Sequence, residues 1–232
     1  MQNNYNGYMR EKTAISLLKK VVKDYADIAE EFNQTRKNKW EEFDNFLKYI
    51  KDKNIVADIG CGNGRFYEFL KKHKKTKYIG IDNNRKLLEK AKKEEGAKFM
   101  KGDLLKIPLK KDIVNVVLEI ASLHHIPSKK LREKAIKEAN RVLKTNGIFI
   151  VSVWNLFQPK YKKYIRKAFL KSILTLGKYD TRDTFIPWAK KTERYYYAFK
   201  ENELQKLLEK NGFKILEKEK NNNIVFICRK KK

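Results

Sequence analysis

Apolar residues recur at helical spacing near the start of the chain, at Ile15, Leu18, Val22, Tyr25, Ile28 and Ala29, which predicts a helix over residues 11–32. A second helical pattern, Trp40, Phe43, Phe46, Leu47 and Ile50, covers residues 40–50. The polar run Asn33-Gln34-Thr35-Arg36 separates the two and offers an N-cap. Then the pattern changes. An apolar run opens at Ile55 and carries the acid Asp58, as expected of a buried parallel strand, and Phe66 to Lys72 reads as the helix that follows. From there strand and helix alternate, with strands over 77–82, 97–101, 112–120 and 147–154 and helices over 85–95 and 128–143. That rhythm means βαβ units, right-handed crossovers and a parallel sheet. A helix over 201–211, stopped by Gly212, precedes strands 213–220 and 223–229, joined through an asparagine turn as a hairpin. The expected fold is α/β, a doubly wound, mostly parallel seven-stranded sheet ending in an antiparallel hairpin. Residues 1–50 read as a helical extension and 51–232 as the sheet domain, with the rhythm broken by an insertion at 155–200.

Between the first strand and its helix stand Gly60, Gly62 and Gly64, at every second position. Glycine has no Cβ and takes φ > 0, so a nucleotide-like ligand can lie against bare backbone there. The dinucleotide fingerprint is G-x-G-x-x-G, whereas this turn is G-x-G-x-G with Asp58 two residues before the first glycine. A pyrophosphate favours an uncharged turn; a carboxylate beside it suits a cationic ligand. In a doubly wound sheet the ligand lies outside the carboxyl ends of the strands. Asp82 closes the second strand, where it can accept from both hydroxyls of a ribose, and Asp103 follows the third, where with the Leu104 backbone it can read an adenine edge. Asn83 and Ile120 stand at the same strand ends. The competing reading makes each acid a turn residue and the glycines a tight turn without a ligand.

Charge narrows the partners. Lys and Arg number 55 against 28 Asp and Glu, a net charge of +27, and such a field attracts polyanions, nucleic acid first. A lysine-rich or thermophile surface is the alternative, though it accounts better for many charges of both signs than for this excess. The insertion at 155–200 holds twelve Lys and Arg against three Asp and Glu, interleaved with eleven aromatic residues. Cys61 and Cys228 lie in unrelated segments, so neither a disulfide framework nor a metal site is expected. The N-terminus has neither a basic n-region nor an apolar core, and no run is long enough to span a bilayer, so a cytoplasmic protein without a membrane partner is expected.

Asp58-x-Gly60-x-Gly62-x-Gly64 resembles motif I of the class I S-adenosylmethionine (SAM) methyltransferases. Four further stretches refine the resemblance: Tyr25 to Arg36, Ala121-Ser122-Leu123-His124-His125-Ile126, Val151-Ser152-Val153-Trp154, and Thr184-Phe185-Ile186-Pro187-Trp188 with Arg194-Tyr195-Tyr196-Tyr197-Ala198-Phe199. Together they resemble the tRNA wobble-uridine carboxymethyl methyltransferases, including the domain fused to an AlkB-like oxygenase in animals. The likeness covers residues 25–213 and departs at Lys144-Thr145-Asn146-Gly147, where a proline-glycine-glycine turn is usual.

This resemblance implies SAM as cofactor and methyl esterification of a carboxymethyl group on a wobble uridine in the anticodon loop of a tRNA. A carboxylate is already ionised at neutral pH, so no general base is expected. The work is positioning and desolvation. Arg36 and Arg194 are expected to hold a carboxylate, Arg36 either the acceptor's or the cofactor's. His124, His125 and Tyr195 are expected to position the acceptor, and Trp154, Tyr195 and Tyr196 can stack a splayed base. Lys160, Lys162, Lys163 and Arg166 are expected to meet RNA phosphates. Relatives of this kind also work with a small zinc-binding activator protein that adds a strand to a sheet edge, here residues 97–101. A small-molecule O- or N-methyltransferase shares every cofactor residue, but the basic aromatic insertion speaks against it; a non-catalytic subunit would have lost a glycine or an acid. No Cys stands at a strand end outside the glycine turn, which argues against covalent attack on a uracil carbon. No Asn/Asp-Pro-Pro-Tyr/Phe stretch is present to hold an exocyclic amine.

Overall fold

Alternation within single strands sets the two faces of the central sheet. In β4 (Val114–Ile120), Val116 and Leu118 point into one apolar layer and Val117 into the other. The computed structural model describes residues 9, 11–35, 39–91, 96–189 and 191–231. In chain order α1 (Glu11–Asp27), α2 (Ala29–Thr35) and α3 (Phe43–Phe46) precede β1 (Ile55–Ile59), α4 (Arg65–Leu70), β2 (Lys77–Asp82), α5 (Arg85–Leu88), β3 (Ala97–Lys101) and β4. Then come α6 (Lys129–Val142), β5 (Leu143–Trp154), α7 (Lys162–Leu174), β6 (Asp183–Trp188), β7 (Thr192–Tyr197), α8 (Glu201–Lys210), β8 (Phe213–Lys220) and β9 (Asn223–Lys230).

Seven strands make the sheet expected from the sequence, in the order β3-β2-β1-β4-β5-β9-β8, parallel except that β9 runs antiparallel between β5 and β8. Connections run outward one way from β1 and the other way from β4, so the switch point lies between those strands. On one face α6 packs Ala135, Ile136, Ala139 and Val142 against the sheet, and α8 adds Leu204 and Leu208. On the other, α3 and α4 bury Phe43, Phe46, Phe66 and Phe69 as a connected set of rings. Among the described residues no helix is long and apolar enough to cross a membrane.

Several elements differ from expectation. The helix predicted over 11–32 is interrupted at Ile28, which is buried in the turn, and α2 follows and lays Phe32 against Gly62. The helix predicted over 40–50 contracts to α3 and a 3₁₀ turn, Leu47–Tyr49. Of the helix predicted over 85–95, Arg85–Leu88 is helical and residues 89–91 are not, while residues 92–95 lie outside the described residues. β5 begins at Leu143, four residues early, so Lys144 to Gly147 belong to an irregular stretch of strand. The insertion contains α7 and a separate antiparallel hairpin, β6–β7. Three consecutive buried tyrosines, Tyr195, Tyr196 and Tyr197, conceal that strand, since residues buried on both faces leave no polar alternation to read.

Candidate functional site

A cleft lies across the carboxyl ends of β1, β2, β4 and β5, and α1 and α2 close one side of it with Leu18, Val21, Tyr25 and Phe32. The glycine turn forms its floor. Gly60 has φ 80°, and a Cβ there would stand 2.5 Å from the Cβ of Ser122, whose hydroxyl is tied to the Ile59 carbonyl at 3.1 Å. Only glycine fits so close an approach. Gly62 donates its N–H to Asp82 Oδ2 and Asn84 donates to Oδ1, both at 2.8 Å, so this buried carboxylate fixes the turn against its own loop. Each oxygen keeps a further lone pair for a ligand.

Asp58 is buried, with Tyr78 donating to its Oδ2 at 2.5 Å, and among the described residues its Oδ1 has no partner. Burial raises its pKa to about 7; the Tyr78 hydrogen bond opposes the rise and the neighbouring Asp82 adds to it. A bound ammonium group would restore the charged form, because an opposite charge at contact favours the ionised carboxylate. Bare backbone at Gly60, a half-satisfied Asp58 and an open Asp82 therefore fit SAM. Gly62, Asn83, Leu104 and Ile120 also line the cleft. Cys61 lines it too, but burial and the adjacent carboxylates push its thiol pKa well up, so it offers no nucleophile.

Two of the expected cofactor residues sit elsewhere. Asp103 is not among the lining residues; its Oδ1 accepts from the N–H groups of Leu105 at 2.7 Å and Lys106 at 3.1 Å, closing its own turn, while Gly102 and Leu104 on either side face the cleft. Gly64 caps α4 in the left-handed region and packs on Phe99 rather than on the cleft. Arg36 lies outside the described residues. Sequence reading also missed Trp40, Phe43, Arg65 and Phe66 at the cleft wall, where the Arg65 guanidinium lies 4.2 Å from the Trp40 ring centre.

The opposite end of the cleft is built by His124, His125, Trp154, Arg194 and Tyr25. Its protonation states follow from partners that can only donate or only accept. The Trp154 N–H donates to His124 Nδ1 at 3.1 Å, so His124 carries its proton on Nε2. His125 Nδ1 meets the Tyr195 carbonyl at 2.8 Å, so it carries the proton on Nδ1 and accepts at Nε2 from the Tyr25 hydroxyl, 2.9 Å away. Arg194 Nη1 in turn donates to the Tyr25 oxygen at 3.4 Å. Two adjacent histidines thus hold opposite tautomers. Burial drives the His124 pKa well down, helped by the neighbouring His125 and Arg194, and pushes His125 down to about 3. Both rings are neutral at pH 7.

Arg194 is therefore the cation of this end, and it is only 3% exposed. Among the described residues no carboxylate pairs with it. Instead its guanidinium sits among the rings of Trp188 at 4.4 Å, Tyr196 at 5.2 Å, Trp154 at 5.4 Å and Tyr25 at 5.8 Å. Its Nε and His124 Nε2 are buried donors without an acceptor among the described residues. Such groups are costly unless a ligand supplies what is missing.

The two tyrosines expected beside Arg194 take other parts. Tyr195 is fully buried, points away from the cleft and donates its hydroxyl to Asp183 at 2.7 Å; only its carbonyl serves the site, through His125. Tyr196 is also fully buried, stacked under Trp154 with ring centres 4.9 Å apart, so it backs that indole rather than presenting a face of its own. Lys160, in the turn before α7, and Lys162, Lys163 and Arg166, in its first two turns, are exposed, and this helix joins the cleft wall through Tyr161 stacked on Trp154.

The comparisons with known proteins agree with this geometry. A methyltransferase-domain family model matches residues 57–151. A protein of Encephalitozoon cuniculi named as a methyltransferase is 31% identical over 83% of this chain and 86% of its own length. The tRNA (carboxymethyluridine(34)-5-O)-methyltransferase of Schizosaccharomyces pombe is 28% identical over 83% of this chain and 88% of its length. The alkbh8 enzyme of the same name from Xenopus tropicalis is 32% identical over 68% of this chain, which spans only 24% of that longer protein. Among solved structures, a SAM-dependent methyltransferase from Methanosarcina mazei superposes with a TM-score of 0.68 at 22% identity, covering 81% of this chain and 97% of that one. A chain from the complex of the Haloferax volcanii Trm112 methyltransferase activator with a methyltransferase gives 0.66 at 13% identity, over 93% and 98%.

Proposed function

The chain belongs to the class I SAM-dependent methyltransferases, in the family of the tRNA carboxymethyluridine methyltransferases, and from that premise we propose that it methylates the carboxylate of a carboxymethyl group on a tRNA wobble uridine. One observation carries the reading: among the described residues, the acceptor end of the cleft offers a buried guanidinium without an acidic partner beside a buried imidazole N–H without an acceptor. A carboxylate answers both, since it brings one negative charge and two acceptor oxygens. A neutral hydroxyl or amine would leave the Arg194 charge uncompensated.

When bound, SAM supplies an electrophilic methyl group. Asp58, Asp82 and the glycine turn hold it, and the chain's remaining task is to present the nucleophile. Arg194 and His124 orient the carboxylate. His125 stays neutral and takes no proton, because none has to be removed from an acceptor that is already ionised. The aromatic walls of Tyr25, Phe32 and Trp154 exclude water, which strips the carboxylate of the solvation that would blunt its attack. Outside, Lys160, Lys162, Lys163 and Arg166 track the tRNA backbone, with the base entering against Trp154. A small zinc-binding activator is proposed at β3, which stands at the sheet edge, as the Haloferax complex supports by likeness of fold.

The test is transfer of a labelled methyl group to tRNA bearing 5-carboxymethyluridine, followed by nucleoside mass spectrometry, with and without the activator. The product should be an ester that mild alkali removes. A label that resists alkali, or that sits on a base or ribose atom, ends this reading.

A further inference from the structure

α7 is built inside out. Its buried residues are Ala168 and Ser172, whereas Phe169, Leu170, Ile173 and Leu174 face solvent, followed by Leu176 in the turn after it. A surface helix ordinarily turns its apolar stripe to the core. Among the described residues every large exposed apolar side chain except Ile15 lies between Phe157 and Leu176, with Leu174 82% and Leu176 92% exposed. A patch so concentrated marks a contact surface. Part of it is concave: Phe157, Ile165, Phe169 and Leu170 floor a groove edged by Arg166 and Lys200, and its one lining carboxylate, Glu203, is taken by Arg182.

The charges carried by the segment that holds the patch have one sign. Residues 155–179 contain seven Lys and Arg and no Asp or Glu. On the exposed face of α7 the first two turns carry Lys162, Lys163, Arg166 and Lys167, and the last two carry the apolar residues. RNA matches the basic half but gives the apolar half no cover. A second copy of this chain would set one cation cluster against another. A bilayer is flat and leaves the groove unfilled.

We propose that this face docks a partner protein presenting an apolar ridge edged by carboxylates, such as an acidic amphipathic helix. The face lies on α7, which packs on β6, away from the β3 edge, so the two contacts stand or fall separately. Because Tyr161 joins α7 to Trp154, a partner seated here also stiffens the acceptor wall of the cleft.

The probe is a fluorescein-labelled amphipathic helical peptide with leucine on one face and glutamate on the other, titrated against the full chain. Saturable one-to-one binding is expected, weakened at least about tenfold by Leu170→Ser with Leu174→Ser and unchanged by Ile15→Ser. All these positions are exposed, so melting temperatures should match the parent's. Equal binding of a lysine-faced peptide, or undiminished binding to the double variant, overturns the proposal. So does preference for phosphatidylserine vesicles over the acidic peptide, or sedimentation of the parent as a dimer that the double variant dissolves.

Discussion

Replacing Arg194 by Met separates the two things a buried cation can do. Taking a guanidinium out of water costs several kcal/mol, and no carboxylate among the described residues repays it. The four surrounding rings return about 0.5–2 kcal/mol each, so the folded chain gains little net stability from the charge. Arg194→Met should therefore shift stability by no more than about 1–2 kcal/mol in either direction, a few degrees in Tm for a chain of this size. Catalysis should respond quite differently. A desolvated charge-assisted pair with the acceptor carboxylate contributes about 3 kcal/mol, so kcat/KM for the tRNA should fall about a hundredfold. Arg194→Lys, which keeps the charge but loses the planar fork, should fall between. Thermal melts, calorimetric titration with SAM and steady-state kinetics on tRNA together decide the matter. If SAM affinity drops as far as kcat/KM, or if stability falls by several kcal/mol, Arg194 is a structural residue and the carboxylate reading loses its main support.

Other expectations are independent of that one. Gly60→Ala should abolish SAM binding or folding, since the new methyl lands 2.5 Å from the Ser122 Cβ in a left-handed backbone; unchanged calorimetric affinity would contradict it. Tyr25→Phe removes the hydrogen bond to His125 and the one from Arg194, about 1 kcal/mol each, so kcat/KM for tRNA should fall about tenfold or more with the SAM Kd unaltered. An equal loss of SAM affinity would argue against its place at the acceptor end. Glu119 is fully buried in β4 with no partner for either carboxyl oxygen among the described residues, and burial lifts its pKa from 4.5 to about 8. The folded chain keeps a proton there that the unfolded chain releases, so stability falls as pH rises from about 4.5 to about 8, by about 3 kcal/mol at pH 7. Glu119→Gln should remove that part of the slope and be the more stable protein at pH 8; parallel pH profiles for variant and parent would refute the assignment.

What the sequence determined by itself was the sheet and the cofactor end of the cleft. Strand and helix periods, the three glycines and the acids Asp58 and Asp82 are local signals, because pleat, turn and strand end each depend on a few neighbouring residues. The seven-stranded order follows from them through the short right-handed connections of βαβ units. Asp103 shows where local reading stops: the same acid after the same strand can face a ligand or close its own turn, and only the turn's hydrogen bonds distinguish the two. The acceptor end belongs to tertiary structure. Tyr25 meets His125 across 100 residues and Arg194 across 169, and no periodicity encodes either contact. Arg194 and Tyr195 are neighbours in one strand, yet successive side chains leave a strand on opposite faces, so one reaches the cleft and the other the core. The histidine tautomers were decided the same way, by a backbone N–H on one ring and a carbonyl on the next, because a proton goes where the nearest fixed dipole allows it.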